Sequence, residues 1–166
     1  SRMVRFDHGY VSTLTGPVDY VNNVIYNWGS NSAYGGETKP GAQAKTINMI
    51  NNYYKPGPST STNAKTRILN PTTYCDNCDK NAPATVVPGK FFITGNVMEG
   101  YSTITKDNTS KNAIKIDSKS PITYEQWKAS CVSPTKFVSS DANFNYNLIS
   151  QQSAKDAYSK VIAYAG

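Results

Sequence analysis

The sequence predicts an all-β chain of short strands stacked in parallel as a solenoid, with long loops and a C-terminal α-helix. Three observations lead there. β-branched and aromatic stretches recur between Gly, Pro and Asn; an Asn returns within them at one position; and the spacing turns helical after Ser153.

The stretches are Tyr10 to Leu14, Val18 to Tyr26, Ala44 to Tyr54 and Lys90 to Met98, each read as a strand. In three of them an Asn lies between apolar residues: Val21-Asn22-Asn23-Val24, Ile50-Asn51-Asn52-Tyr53 and Thr94-Gly95-Asn96-Val97. The intervals from Asn23 to Asn52 and from Asn52 to Asn96, 29 and 44 residues, are too uneven for a simple solenoid. A parallel β-helix tolerates them, because only its strands must stack while the connections bulge outward. Stacked Asn amides at its turns would donate to one neighbour and accept from the other. The stretches from Asn27 to Gly41 and from Pro56 to Pro88, rich in Gly, Pro, Ser, Thr and Asn, are expected as projecting loops. After Ser153, apolar residues at Ala154, Ala157, Tyr158, Val161, Ile162 and Ala165 mark one face of a helix over about 153–165. Ser153 is its expected cap, with Asp156 three residues on.

Composition bounds the function. The 166 residues carry a net charge of +6, are 38% hydrophobic and only 17% charged, and make one domain, 1–166. That balance excludes a disordered polyelectrolyte and a coiled coil. No apolar run reaches the roughly 18 residues of a membrane span, and SRMVRF lacks a signal peptide's apolar core. Lys and Arg never form a run of four, so neither nucleic acid nor membrane is an expected partner. A mild basic excess suits an acidic polysaccharide.

Cys75 and Cys78 have the spacing of half a zinc knuckle, but only Cys131 and His8 remain to complete four ligands. A local disulfide, idle thiols, or a bridge from either to Cys131 are the other options. His8, the single histidine, reads as a turn or surface residue beside Asp7. The three glutamates, Glu37, Glu99 and Glu125, form no distinguished pair. Phosphate loops, HExxH and EF-hand loops are missing. The aromatics Tyr26, Trp28, Tyr34, Tyr53 and Tyr54 offer flat surfaces for sugar rings, although several are expected in a solenoid core.

Three blocks occur in order: Val18-Asp-Tyr-Val-Asn-Asn-Val-Ile-Tyr-Asn-Trp-Gly29, Ser32-Ala-Tyr-Gly-Gly-Glu37 and Asn48-Met-Ile-Asn-Asn-Tyr-Tyr-Lys-Pro-Gly-Pro-Ser-Thr60. They resemble the pectate lyases of polysaccharide lyase family 1, as do Lys90 to Gly100, Asp107-Asn108 and Gln152 to Gly166. The resemblance implies a right-handed parallel β-helix that cleaves polygalacturonate by calcium-assisted β-elimination, with an arginine as base. Ser1-Arg2-Met3-Val4-Arg5-Phe6 resembles the family's arginine segment, with Val4 where proline is expected. By that match Arg2 is the base and Arg5 holds a substrate carboxylate; Tyr34, Glu37 and Lys55 are the further substrate-binding candidates. The implied calcium ligands lie upstream of this segment, outside this chain.

The expectation is therefore a fragment, the C-terminal coils of a longer lyase, incomplete at both ends. Another chain supplying the N-terminal coils is its expected partner, and alone it is expected to be inactive or nearly so. A polymer substrate implies a secreted or periplasmic setting. Two alternatives stand beside this reading: a non-catalytic carbohydrate-binding or structural β-helix, and a lyase acting on another uronate polymer. The sequon Asn108-Thr-Ser110 is also present.

Overall fold

A computed structural model describes residues 2–6, 17–74, 86–140 and 151–165. Among them, nine strands form three parallel sheets, and each sheet takes every third strand. The first sheet joins β1 (Arg2–Phe6), β4 (Asn31–Gly35) and β7 (Asn70–Pro71); the second joins β2 (Val18–Val21), β5 (Thr46–Ile50) and β8 (Lys90–Thr94). The third joins β3 (Val24–Tyr26), β6 (Tyr53–Lys55) and β9 (Val97–Met98). Successive rounds of the chain thus lay one strand on each sheet. Parallel bridges Leu69↔Ile114 and Phe91↔Val132 begin a fourth row on the first two sheets.

Asparagine creates the corners. Each stretch read as one strand splits in two, because Asn22 (φ 57°), Asn51 (φ 54°) and Gly95 (φ 67°) adopt the left-handed conformation that Asn and Gly tolerate best. Gly95 closes this column of positive-φ positions for a second reason. A Cβ there would sit 2.0 Å from Asn51 Oδ1, so the stacked amide leaves room for no side chain.

The next residue in each corner builds the expected ladder. Asn23 donates from its backbone N and Nδ2 to Asn52 Oδ1 (both 2.9 Å), and Asn52 does the same to Asn96 Oδ1 at 3.0 and 2.9 Å. Asn96 repeats it to Asn108 Oδ1 (2.8 and 3.1 Å), whose Nδ2 ends the column on the Asn96 and Ile104 carbonyls (both 2.9 Å). The amides so paired satisfy one another from row to row, and Asn52, Asn96 and Asn108 are buried in doing so. Asn108, 6% exposed with its Nδ2 hydrogens engaged, is closed to glycan attachment in the folded chain.

The inward residues fill one core, with Ile25, Trp28, Ala33, Ile47, Met49 and Phe91 among its fully buried members. Trp28 donates its Nε1 hydrogen to Ala64 O (3.0 Å) and meets Tyr54 edge to face at 6.0 Å. Among the described residues three helices flank the sheets. In α1 (Ser102–Lys106) Ile104 is buried; in α2 (Tyr124–Cys131) Trp127 packs toward Phe91 at 6.1 Å. A capping box, Thr123 with Gln126, starts α2. The third, α3 (Ala154–Tyr164), is capped by Ser153 accepting from Asp156 N, and lays Ala154 and Ala157 on β3 and β6. None of these helices is long and apolar enough to cross a membrane.

Several expectations need correction. The stretches read as loops contain β4 and β7, and a 3-10 turn at Thr62–Ala64. Small and polar residues form these strands because flanking rows supply the hydrogen bonds: β4 lies between β1 and β7 and buries Ser32, Ala33 and Gly35. The arginine segment, with Val4 where the resemblance leads one to expect proline, forms strand β1. Cys131 is a free, buried thiol, so neither bridge to it forms. The expected strand at Tyr10 to Leu14, His8, Cys75 and Cys78 lie outside the described residues.

Candidate active-site face

The arginine segment is an edge strand, and its alternation sorts its side chains. Val4 and Phe6 face the core while Met3 and Arg5 are exposed. Arg2 pairs with Asn31 in the register, and Arg5 with Tyr34, which pairs in turn with Asn70. Parallel stacking thus lines up Arg5, Tyr34 and Asn70 along the stack axis, one per row. The Arg5 guanidinium carbon lies 5.5 Å from the Tyr34 ring centroid.

Glu37 reaches the same guanidinium from below. Its Oε1 accepts from Arg5 Nη2 at 3.2 Å, with side-chain exposures of 3% for Glu37 and 40% for Arg5. The approach depends on two glycines. Gly35 (φ +98°) and Gly36 (φ +91°) turn the chain beneath the end of β1, where Gly36 N donates to Phe6 O at 2.9 Å. A Cβ on Gly35 would lie 2.3 Å from Phe6 O, and one on Gly36 2.8 Å from the Phe91 ring. Glu37 Oε2 is buried with no hydrogen-bond partner, so the carboxylate depends on Arg5 for compensation. Placed there, Glu37 is a support beneath Arg5 rather than a surface contact for a ligand.

Lys55 does not join this group. It ends β6 on the third sheet, where its Nζ lies 3.0 Å from Glu99 Oε1 and 3.1 Å from Tyr158 Oη of α3. Tyr53 donates to Glu99 Oε2 at 2.8 Å and stacks on Tyr158, centroids 4.2 Å apart. Hydrogen bonds with Tyr158 and Glu99 raise the Lys55 ammonium above its ordinary range. Burial, aided by the Glu99 hydrogen bond, pushes the Tyr53 phenol up to about 12. At Glu99 burial acts upward, but hydrogen bonds from Lys55 and Tyr53 outweigh it and hold the carboxyl below its usual value. This cluster fastens α3 to the sheet. The resemblance grouped Lys55 with the substrate-binding candidates, and nothing in the sequence says that a strand three residues long belongs to a different sheet.

The aromatics divide likewise. Trp28 and Tyr54 are fully buried and Tyr53 is nearly so, whereas Tyr26 is exposed and Tyr34 half-buried. Arg67, which sequence reasoning passed over, is buried and donates to Ser30 O (2.5 Å), Asn31 Oδ1 (3.1 Å) and Asn63 O (3.0 Å). It ties together the two connections that lead into β4 and β7. Among the described residues no three acidic, His or Cys side chains cluster as a metal site, and Glu37 is occupied by Arg5. The described residues therefore do not fit the implied calcium.

No family model matches the chain. Over 55 residues it is 45% identical to a probable pectate lyase C of Aspergillus terreus, a match covering 32% of this chain and 12% of that relative. The similarity supports a pectate lyase-like relationship over that segment.

Proposed function

We propose that this chain is the part of a pectate lyase that carries the arginine-bearing face, on a right-handed parallel β-helix whose faces are the three sheets and whose rounds each lay one strand on every sheet. The observation that carries the reading is the 45% identity to a probable pectate lyase. The edge strand with two arginines, continuous with Tyr34 and Asn70, supports it.

In this reading Arg5, supported by Glu37 and exposed on its other side, takes the carboxylate of a galacturonosyl unit. Neutralising that carboxylate acidifies the adjacent C5–H, because the carbanion charge delocalises into it. Arg2 in its neutral form accepts the C5 proton. The C5–H electron pair becomes the C4=C5 double bond, the C4–O bond breaks, and the leaving sugar oxygen takes up a proton. Arginine is almost always protonated in proteins, so the step requires alkaline pH and a cationic neighbourhood. Calcium, if bound by acids other than those described, would supply positive charge that helps neutralise the substrate carboxylates. Secretion or periplasmic export is proposed with the polymeric substrate.

The test is ultraviolet absorbance of unsaturated product from polygalacturonate with calcium at alkaline pH, for this chain alone and combined with the preceding coils of a lyase. Arg2→Ala is expected to lower turnover by at least about a thousandfold, and Arg5→Ala to raise KM and also to lower turnover, less steeply. A folded wild type without product in both arrangements overturns the enzyme reading and leaves the non-catalytic carbohydrate-binding one. Product from another uronate polymer alone would reassign the substrate.

A further inference from the structure

The outward row on the first sheet does not stop at β7. Lys115 N donates to Leu69 O at 3.0 Å and Ile68 N to Ala113 O at 2.7 Å, and the Leu69↔Ile114 bridge sets the register. That register puts Lys115 beside Asn70. Leu69 and Ile114 are buried, so the residues that follow them point outward. The row therefore reads Arg5, Tyr34, Asn70, Lys115, with a cation at either end and two hydrogen-bonding side chains between.

Lys115 borders a cleft of about 720 Å³, between the connection carrying Thr66 and Arg67 and the segment from Lys111 to Tyr124. The other charges there are committed. Lys111 pairs with Glu125 at 3.6 Å, Asp117 Oδ1 accepts from Lys119 N at 2.9 Å, and Arg67 is buried on oxygens of the chain. Lys115 is exposed, and its ammonium meets no partner among the described residues.

We infer that Lys115 is a second carboxylate-binding point, and that this face recognises an extended polyuronate across four strands. The inference rests on the proposed polyuronate substrate. Three strand spacings put Arg5 and Lys115 roughly 14 Å apart along the stack axis. A pyranose unit advances by about one strand spacing, so a chain laid along the axis presents carboxylates to both cations only when it is four or more units long. A trimer anchored at Arg5 ends short of Lys115.

The experiment is titration calorimetry of trigalacturonate and hexagalacturonate in calcium, in an Arg2→Ala background that suppresses turnover, with lyase activity of the wild type assayed in parallel. Adding Lys115→Gln should weaken hexamer binding about threefold, as befits an exposed ion pair, and leave trimer binding unchanged. Adding Lys155→Gln, an equal loss of charge on α3, should change neither. Equal effects on trimer and hexamer, or none on either, overturn the inference even where the wild type is an active lyase. A hexamer-selective loss without lyase activity, either alone or combined with the preceding coils of a lyase, upholds the binding face and overturns the enzyme reading. Absence of hexamer binding in the Arg2→Ala parent overturns both.

Discussion

Arg5 and Glu37 are 32 residues apart in the chain yet depend on each other. Arg5→Ala would leave a buried carboxylate with neither oxygen compensated, a loss of about 1–3 kcal/mol, while Arg5→Ala/Glu37→Gln should recover most of it. Denaturant midpoints of the two variants check this; equal midpoints would mean that Arg5 stabilises through packing alone. The pair was not legible in the sequence. Both residues stood among the site candidates, but only the doubly glycine-turned chain shows that Glu37 comes from beneath. Burial pushes the Cys131 thiol above its ordinary value, so the thiol is expected to react slowly with alkylating reagents until the chain unfolds.

The elements divide by what their residues announce. The Asn ladder was legible, because an amide that donates and accepts along an axis has to recur in register with the strands it joins. Its central rung should matter most. Asn52 is buried and bonded to both neighbours, so Asn52→Ala is expected to cost about 3 kcal/mol and Asn23→Ala, half-buried at the end, about 1 kcal/mol. Thermal melts read the order; equal losses would deny the ladder its cooperative character. Gly95→Ala should cost about 2–3 kcal/mol for its positive φ and the clash with Asn51. β4 and β7 were illegible for the opposite reason. Asn31 to Gly35 and Asn70-Pro71 carry turn-like residues, and flanking rows override that preference. The Thr123 to Gln126 capping box was a signal in the sequence that went unread, and it starts α2.

The hold of α3 carries a pH dependence of definite sign. The Glu99 carboxyl lies below its unfolded value, so its contribution is present above the ordinary glutamate range near pH ~4 and is lost as pH falls further. Tyr53 lies above its unfolded value, so its contribution is present below about pH 10 and is lost as pH rises toward its folded value of about 12. Near-ultraviolet circular dichroism of the stacked Tyr53 and Tyr158 should therefore fade at both extremes, and Glu99→Gln should remove the acid limb. A signal flat from acid to alkali would mean that apolar contacts alone hold the helix.

On the scale of the whole molecule, the three sheets arrange the residues by face, and face decides what each can do. Arg5, Tyr34, Asn70 and Lys115 share one face along the stack axis, and Lys55 belongs to another beneath α3. A linear resemblance lists such residues in order without assigning them to sheets. It listed Arg5, Tyr34, Glu37 and Lys55 together as substrate-binding candidates, of which the fold sets the first three side by side, and passed over Arg67 and Lys115.

The most direct measurement is mass spectrometry of the products formed from polygalacturonate by this chain, alone and combined with the preceding coils of a lyase. β-Elimination predicts oligomers with an unsaturated non-reducing end, each lighter by one water than a hydrolysis product. Saturated oligomers alone, or intact polymer from a folded protein in both arrangements, would contradict the account.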